Sequence, residues 1–331
     1  MIVRRLLPFV AACALHAQVL VNGAGATFPY PIYSKWFDEF HRLNPGAHLN
    51  YQSIGSGGGI RQLLNGTVDF GASDSPLTDQ QLSQSSIAIL HFPTVIGAVV
   101  PLYNIPRLSQ ELRFTPVALA GIFLGTITRW NDPELARANP GVPLPDSEIT
   151  PVHRSDASGT TFILTDFLSK TSPAWKAAAG AGTSVKWPAG IGAKGNEGVA
   201  GIVKQTPGSI GYVELVYALQ NRIACGRVRN AAGNFVRAEA RTITAAAWGL
   251  PVPDDFRVSI TNAAGRNAYP VASYTWLLTP ARMENPGKRK IIKDFLRWMY
   301  QNGQPLAEPL GYAPLPPSLI AKALKAIARI Q

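Results

Sequence analysis

The chain has 331 residues, a formal net charge of +11 and two cysteines, Cys13 and Cys225. That length can bury full cores without cystines and allows two domains of ordinary size, so a small disulfide-stapled scaffold is excluded. The positive excess favours anionic partners, but the basic residues are scattered and do not form the stripe that nucleic acid requires.

Arg4 and Arg5 precede an apolar run from Leu6 to Leu15, followed by His16-Ala17-Gln18. A basic start, a short apolar stretch and a small residue read as a secretory signal over residues 1–17, cut after Ala17. The run is too short to cross a bilayer as a stop-transfer helix. Val10-Ala11-Ala12-Cys13 offers a second route, a lipoprotein box with Cys13 as the lipidated residue, but the apolar stretch ahead of it is very short. Either route leaves Cys225 without an intramolecular partner.

Gly23 to Phe28 reads as a strand end and loop, and Pro31 to Leu43 as a helix with Ile32, Trp36, Phe37 and Phe40 on its apolar face. Residues 49–54 alternate like a strand and lead into Ser56-Gly57-Gly58-Gly59. Ile60, Leu63 and Leu64 then recur at helical spacing, and Gly66 closes the turn. Residues 68–73 form a short strand ending at Asp74. Leu90 to Val100 is long and rich in β-branched residues, with Pro101 at its end. Val117 to Leu124 predicts a helix, and Ile149 to His153 a strand.

That last strand runs into Arg154-Ser155-Asp156-Ala157-Ser158-Gly159-Thr160-Thr161, which precedes the apolar Phe162-Ile163-Leu164 and Phe167-Leu168. Residues 177–194, rich in Ala, Gly and Lys, predict a loop region. Asn196 opens a helix that Pro207-Gly208 stops, and strands follow at 209–213 and 273–278. Two helices close the chain, at 288–300 and 318–330. Lys288, Arg289, Lys290, Lys293 and Arg297 share the first of these with Ile291, Ile292, Phe295, Leu296 and Met299, the pattern of a solvated face opposite a buried one. Alternating strands and helices indicate an α/β protein.

Two of the predicted helices begin with capping hydroxyls and glycine, at Ser56 and at Ser158-Gly159-Thr160. A helix start presents unpaired N–H groups and partial positive charge, and Arg154 adds a planar fork of donors. No metal-ligand cluster accompanies them. The pattern suits a desolvated tetrahedral oxyanion held by hydrogen bonds at strand and helix ends.

Several segments in order carry a family resemblance: Gly23 to Pro29, Ile54 to Gly59, Asp69 to Asp74, Thr128 to Pro133, Arg154 to Thr160 and Gly208 to Tyr212. The chain resembles the periplasmic phosphate-binding protein of the bacterial phosphate-specific ABC transporter, from Gly23 to the C-terminal helices. The resemblance implies a type II periplasmic binding protein with two α/β lobes and two crossover strands. Lobe I would span 18–92 and 271–331, and lobe II 93–270, with Pro93 and Pro270 beside the crossovers.

It also implies a phosphate-binding set: N–H groups of Ala26, Thr27 and Phe28, the Thr27 hydroxyl, Ser56, Asp74, Arg154, and the helix end of Ser158, Gly159 and Thr160. Asp156 would steer the Arg154 guanidinium. Asp74 would accept a hydrogen bond from the O–H of hydrogen phosphate, which sulfate cannot offer. Arsenate would be the hardest competitor. His153 stands where a second basic residue is frequent in the family, and Ala157 where a glycine is.

The implied ligand is inorganic phosphate with no cofactor, and the implied partners are the permease subunits of an ABC importer. A periplasmic monomer, touching the membrane through that partner or a lipid at Cys13, completes the expectation. The competing readings are a binder of another oxyanion, a secreted phosphatase and an adhesion protein that kept the fold. The sequence offers a phosphatase neither a Gly-x-Ser-x-Gly elbow around Ser158 nor a His/Asp/Glu cluster at metal-ligand spacing.

Overall fold

The structure, a computed structural model, describes residues 18–331. The signal segment 1–17 and Cys13 lie outside the described residues. The strands in chain order are β1 (Val19–Gly25), β2 (Ala47–Ser53), β3 (Phe70–Ser73), β4 (Ile89–Tyr103), β5 (Arg113–Phe114) and β6 (Thr150–Arg154), followed by β7 (Ile191–Ala193), β8 (Ser209–Glu214), β9 (Ala224–Cys225), β10 (Arg227–Arg229), β11 (Phe235–Val236) and β12 (Ala272–Pro280). Nine of them form one mixed sheet in the order β2-β1-β3-β12-β4-β8-β6-β7, with β9 also on β4; β11-β10-β5 form a small separate sheet.

β4 explains the two-lobed shape. All of its 15 residues are buried, as a strand covered on both faces must be. From Ile89 to Ala98 it pairs antiparallel with β12, and from Val99 to Tyr103 antiparallel with β8. One strand therefore belongs to the sheets of both lobes. The transfer lies at Ala98–Val99, beyond the expected position at Pro93. Pro93 instead sits inside the β4–β12 pairing, opposite Trp276, where the register slips between Thr275 and Trp276. A proline has no N–H to give the ladder, so a bulge is the natural accommodation. Thr94 is the extra residue, and its hydroxyl donates to the Thr275 carbonyl at 3.2 Å.

The helix Tyr30–Leu43 buries Ile32, Trp36, Phe37 and Phe40, the face expected from their spacing, and Tyr33 with them. Phe37 meets Phe295 edge-on at 5.0 Å, joining this helix to the helix Pro286–Trp298. The basic cluster on that second helix is paired or bonded: Lys288 with Asp69, Lys290 and Arg297 with Asp294, and Lys293 with the Ile330 carbonyl. The stretch 177–194 is mostly irregular but ends in the edge strand β7. His153 stacks on Trp187 at 4.8 Å, and its Nδ1 lies 3.1 Å from the Arg154 carbonyl oxygen, so the ring is part of the packing at the end of β6. Cys225 is a free thiol, pushed by burial up to about 11. No helix among the described residues is long and apolar enough to cross a membrane.

Candidate anion-binding site

Three loops of the first lobe meet at the C-terminal ends of its parallel strands. β1 ends at Gly25, and the chain turns through Ala26, Thr27 and Phe28 into the helix Tyr30–Leu43. Each carbonyl of this triplet is held by a tyrosine hydroxyl: Ala26 by Tyr51 at 2.7 Å, Thr27 by Tyr217 at 2.6 Å and Phe28 by Tyr312 at 2.6 Å. Burial raises all three phenols above their usual range, so each remains a donor. With the carbonyls tied back, the N–H groups of Thr27 and Phe28 have no protein acceptor among the described residues. Ala26 departs from the expected set, because its N–H donates to the Ala72 carbonyl at 2.9 Å and is not free for a ligand.

Ser56 starts the helix Ser56–Leu64 and is fully buried. Its hydroxyl oxygen accepts from Gly159 N–H at 3.0 Å, a contact from the opposite lobe, and from Asp74 N–H at 3.3 Å. Its own N–H is unspent, as the first N–H of a helix is. The preceding Gly55 has φ 90°, and a side chain there would strike the Asp156 carboxylate at 2.4 Å. Gly57 donates to the Ala157 carbonyl at 3.0 Å, so the backbones of the two lobes meet directly here. Ala157 fits because it faces a glycine: a Cβ on Gly57 would lie 2.5 Å from its methyl group.

Asp74 follows β3 and is 1 % exposed. The Thr275 hydroxyl of β12 donates to its Oδ1 at 2.7 Å. Burial pushes the carboxyl up to about 7, opposed by the Thr275 hydroxyl, the Arg154 charge and the Ser56 hydroxyl. The group thus stands poised between acceptor and donor near neutral pH.

From the second lobe comes Arg154, the last residue of β6, 3 % exposed. Asp156 grips its guanidinium by two bonds, Nε to Oδ1 at 2.7 Å and Nη2 to Oδ2 at 2.5 Å. Burial works to raise the Asp156 carboxyl, yet the Arg154 bond and charge and the Gly195 N–H hold it below its usual value. The fork is thereby fixed with Nη1 turned toward Thr160 Oγ1, 3.4 Å away. Ser158 caps the helix Gly159–Thr171: its oxygen accepts from Thr161 N–H at 3.1 Å, and its own N–H goes to the Thr183 carbonyl at 2.8 Å. The hydroxyl proton of Ser158 and the N–H of Thr160 stay available.

The expected residues from Thr27 to Thr160 are therefore gathered into one buried cluster, with Ala26 contributing structure instead of a donor. Two participants were not anticipated. Thr275 lies far along the chain, and nothing local marks it. Asn196, fully buried at the start of the helix Gly195–Gln205, donates Nδ2 to Thr27 Oγ1 at 2.6 Å and to Thr160 Oγ1 at 3.1 Å. Its place at a third helix start was visible in the sequence, but not its direction. No group of three or more His, Cys, Asp and Glu side chains suited to a metal ion occurs among the described residues.

Comparison with known proteins places the chain in a family. The model of the PBP superfamily domain matches residues 13–302. The phosphate-binding protein PstS of Xylella fastidiosa (strain Temecula1 / ATCC 700964) is 47 % identical over 306 residues, covering 92 % of this chain and 83 % of the relative. That of Pasteurella multocida (strain Pm70) is 46 % identical over 307 residues, covering 91 % and 88 %. A solved periplasmic phosphate-binding protein, PfluDING with phosphate bound, superimposes with a TM-score of 0.77 over 93 % of this chain and 94 % of that one. At 24 % identity it speaks to the fold alone.

Proposed function

The chain belongs to the PstS family of phosphate-binding proteins within the PBP superfamily, and from that premise we propose that it captures inorganic phosphate and delivers it to an ABC importer by closing its lobes on the anion. The observation that carries this reading is the pairing of a buried, clamped arginine with a buried carboxyl inside one cluster of unspent donors. A polyanion such as sulfate would be served by the donors alone. A carboxyl facing the cargo makes sense when the cargo brings a proton.

The binding set is the N–H groups of Thr27, Phe28, Ser56 and Thr160, the hydroxyls of Thr27, Ser56, Ser158 and Thr160, the Arg154 fork and Asp74; the Gly159 N–H would join it only by leaving Ser56 Oγ, to which it donates at 3.0 Å. Asp156 acts by holding Arg154. Titration calorimetry with phosphate and sulfate tests the assignment: phosphate should bind tightly and sulfate weakly. Equal affinities, or no phosphate binding, would overturn it.

Lobe I would then be residues 18–98 with 271–331 and lobe II 99–270, the boundary expected at 93 moving to the Ala98–Val99 transfer in β4, which is the flexing point, with Val99 N–H bonded to the Val271 carbonyl. The bonds Gly159–Ser56, Gly57–Ala157 and Asn196–Thr27 all cross between lobes, so they exist only when the lobes meet. Phosphate would stabilise that state by bonding to both sides. The radius of gyration from small-angle scattering should fall when phosphate is added. Gly159→Ala should block this. Its Cβ would stand 2.5 Å from both the Asp74 carboxylate and the Ser56 hydroxyl. That variant should keep its larger radius in phosphate and bind at least about tenfold more weakly, the cost of one or more lost hydrogen bonds and an overpacked contact. A normal contraction in Gly159→Ala would contradict the closed geometry.

The protein would act as a monomer in the periplasm after export, released by cleavage at Ala17 or held by a lipid at Cys13. Its partners are the permease subunits, which would read the closed form.

A further inference from the structure

Asn196 makes four hydrogen bonds, and their directions are fixed by chemistry. Its Oδ1 accepts from the backbone N–H of Glu214 at 2.9 Å, a group that can only donate. The amide is therefore oriented, and Nδ2 must face the two threonines. Nδ2 donates to Thr27 Oγ1 at 2.6 Å and to Thr160 Oγ1 at 3.1 Å, while the backbone N–H of Asn196 adds a second bond to Thr27 Oγ1 at 3.3 Å.

Count the lone pairs. A hydroxyl oxygen accepts twice and donates once. Thr27 Oγ1 receives both its bonds from Asn196. Thr160 Oγ1 receives one from Asn196 and one from Arg154 Nη1 at 3.4 Å. Both hydroxyls are almost completely buried, so water does not compete. Each has one role left, to donate its proton. One hydroxyl belongs to each lobe.

We propose that Asn196 is a positioning residue that makes the Thr27 and Thr160 hydroxyls obligate donors, so that the site meets a deprotonated phosphate oxygen from both lobes. This rests on the phosphate-binding reading above. It adds a division of labour: Asp74 reads the protonated oxygen of the cargo, and Asn196 ensures that two hydroxyls can read only unprotonated ones. A hydroxyl left free to rotate would serve either, and would blur the choice of cargo. The Glu214 N–H that orients the amide lies on β8 at its pairing with Val99 of β4, so the amide is set from the strand transfer between the lobes.

A double-mutant cycle tests this, read as phosphate affinity by calorimetry on the full mature chain. Asn196→Leu removes the donors, Thr27→Val removes one hydroxyl they orient, and the pair is made together. Each single change should weaken phosphate binding about tenfold or more, the scale of one lost buried hydrogen bond. The double variant should lose far less than the product of the two, because without the hydroxyl Asn196 has little left to orient there. Losses that multiply would overturn the proposal and reduce Asn196 to packing. If Asn196→Leu does not fold, Asn196→Asp keeps the shape and the acceptor for Glu214. Its carboxylate would draw the Thr27 proton toward itself, so it should bind phosphate poorly and show the same non-multiplicative loss with Thr27→Val. Wild-type protein that takes up no phosphate would overturn the functional reading and this inference with it; wild-type binding with multiplying losses would overturn the inference alone.

Discussion

Arg154→Ala should weaken phosphate binding by roughly two to four orders of magnitude while the protein remains folded. The expectation follows from burial and from what the variant leaves behind. Arg154 is 3 % exposed and supplies, among the described residues, the full positive side-chain charge placed in the cluster. Bonds to charged groups in such a place cost about 3–5 kcal/mol when one partner is removed, and about 1.4 kcal/mol is a factor of ten. The variant also strands Asp156, whose carboxylate then adds repulsion next to the incoming anion. Arg154→Lys should recover only part of the loss, because a lysine cannot keep both the bidentate grip on Asp156 and a second edge toward Thr160. Calorimetry alongside thermal melting separates binding from folding. Affinity within tenfold of wild type would remove Arg154 from the site.

The second large effect is on selectivity. Asp74→Asn should raise sulfate affinity by about a hundredfold or more while costing phosphate less, since the amide can turn a donor toward either anion. The pH dependence carries the same logic with a definite sign. Burial, against the Thr275 hydroxyl and the Arg154 charge, puts the Asp74 carboxyl at about 7 instead of the usual value near 4. Above that pH the wild-type carboxylate repels sulfate. Below it the carboxyl carries a proton and becomes a donor that sulfate can accept. Sulfate affinity should therefore climb as pH falls from about 8 to about 5, steeply at first and flattening once the group is protonated. In Asp74→Asn it should be flat. A pH-independent sulfate affinity in the wild type would sink this account of discrimination.

The same shift bears on stability. A carboxyl raised in the folded state favours that state most where it is protonated, so the closed form should lose stability as pH rises from about 4 through about 7. Asp74→Asn should lack that component.

Legibility in the sequence followed distance along the chain. The local contacts were readable: Ser158 does cap Thr161, and Arg154 does clasp Asp156 two residues on, whereas Ser56, expected as a cap, is the first residue of its helix and makes no capping bond, Gly55 standing at the cap. The helix Tyr30–Leu43 and the buried run of β4 announced themselves by period and by β-branched content. Residues whose roles depend on distant partners gave no such sign. Thr275 is 201 positions from Asp74, Asn196 is 169 from Thr27, and Tyr312 is 284 from Phe28. Pro93 misled in the other direction, since a proline beside a strand-like run suits a crossover but was absorbed by a bulge. The small sheet β11-β10-β5 had strands of two or three residues, too short for a periodic pattern.

β12 lies between β3 and β4, which follow one another closely in the chain yet do not pair. During synthesis, β1, β2, β3 and β4 all emerge long before the strand that joins them. Until residues 272–280 arrive, the first lobe is two fragments of sheet with open edges, and Asp74 lacks the hydroxyl that steadies it. The early chain cannot form a trap for anions on its own. Contacts of such sequence separation are entropically costly to close and slow to form. A chain of this topology therefore lacks, until residues 272–280 are made, both the strand that joins β3 to β4 and the hydroxyl that steadies Asp74.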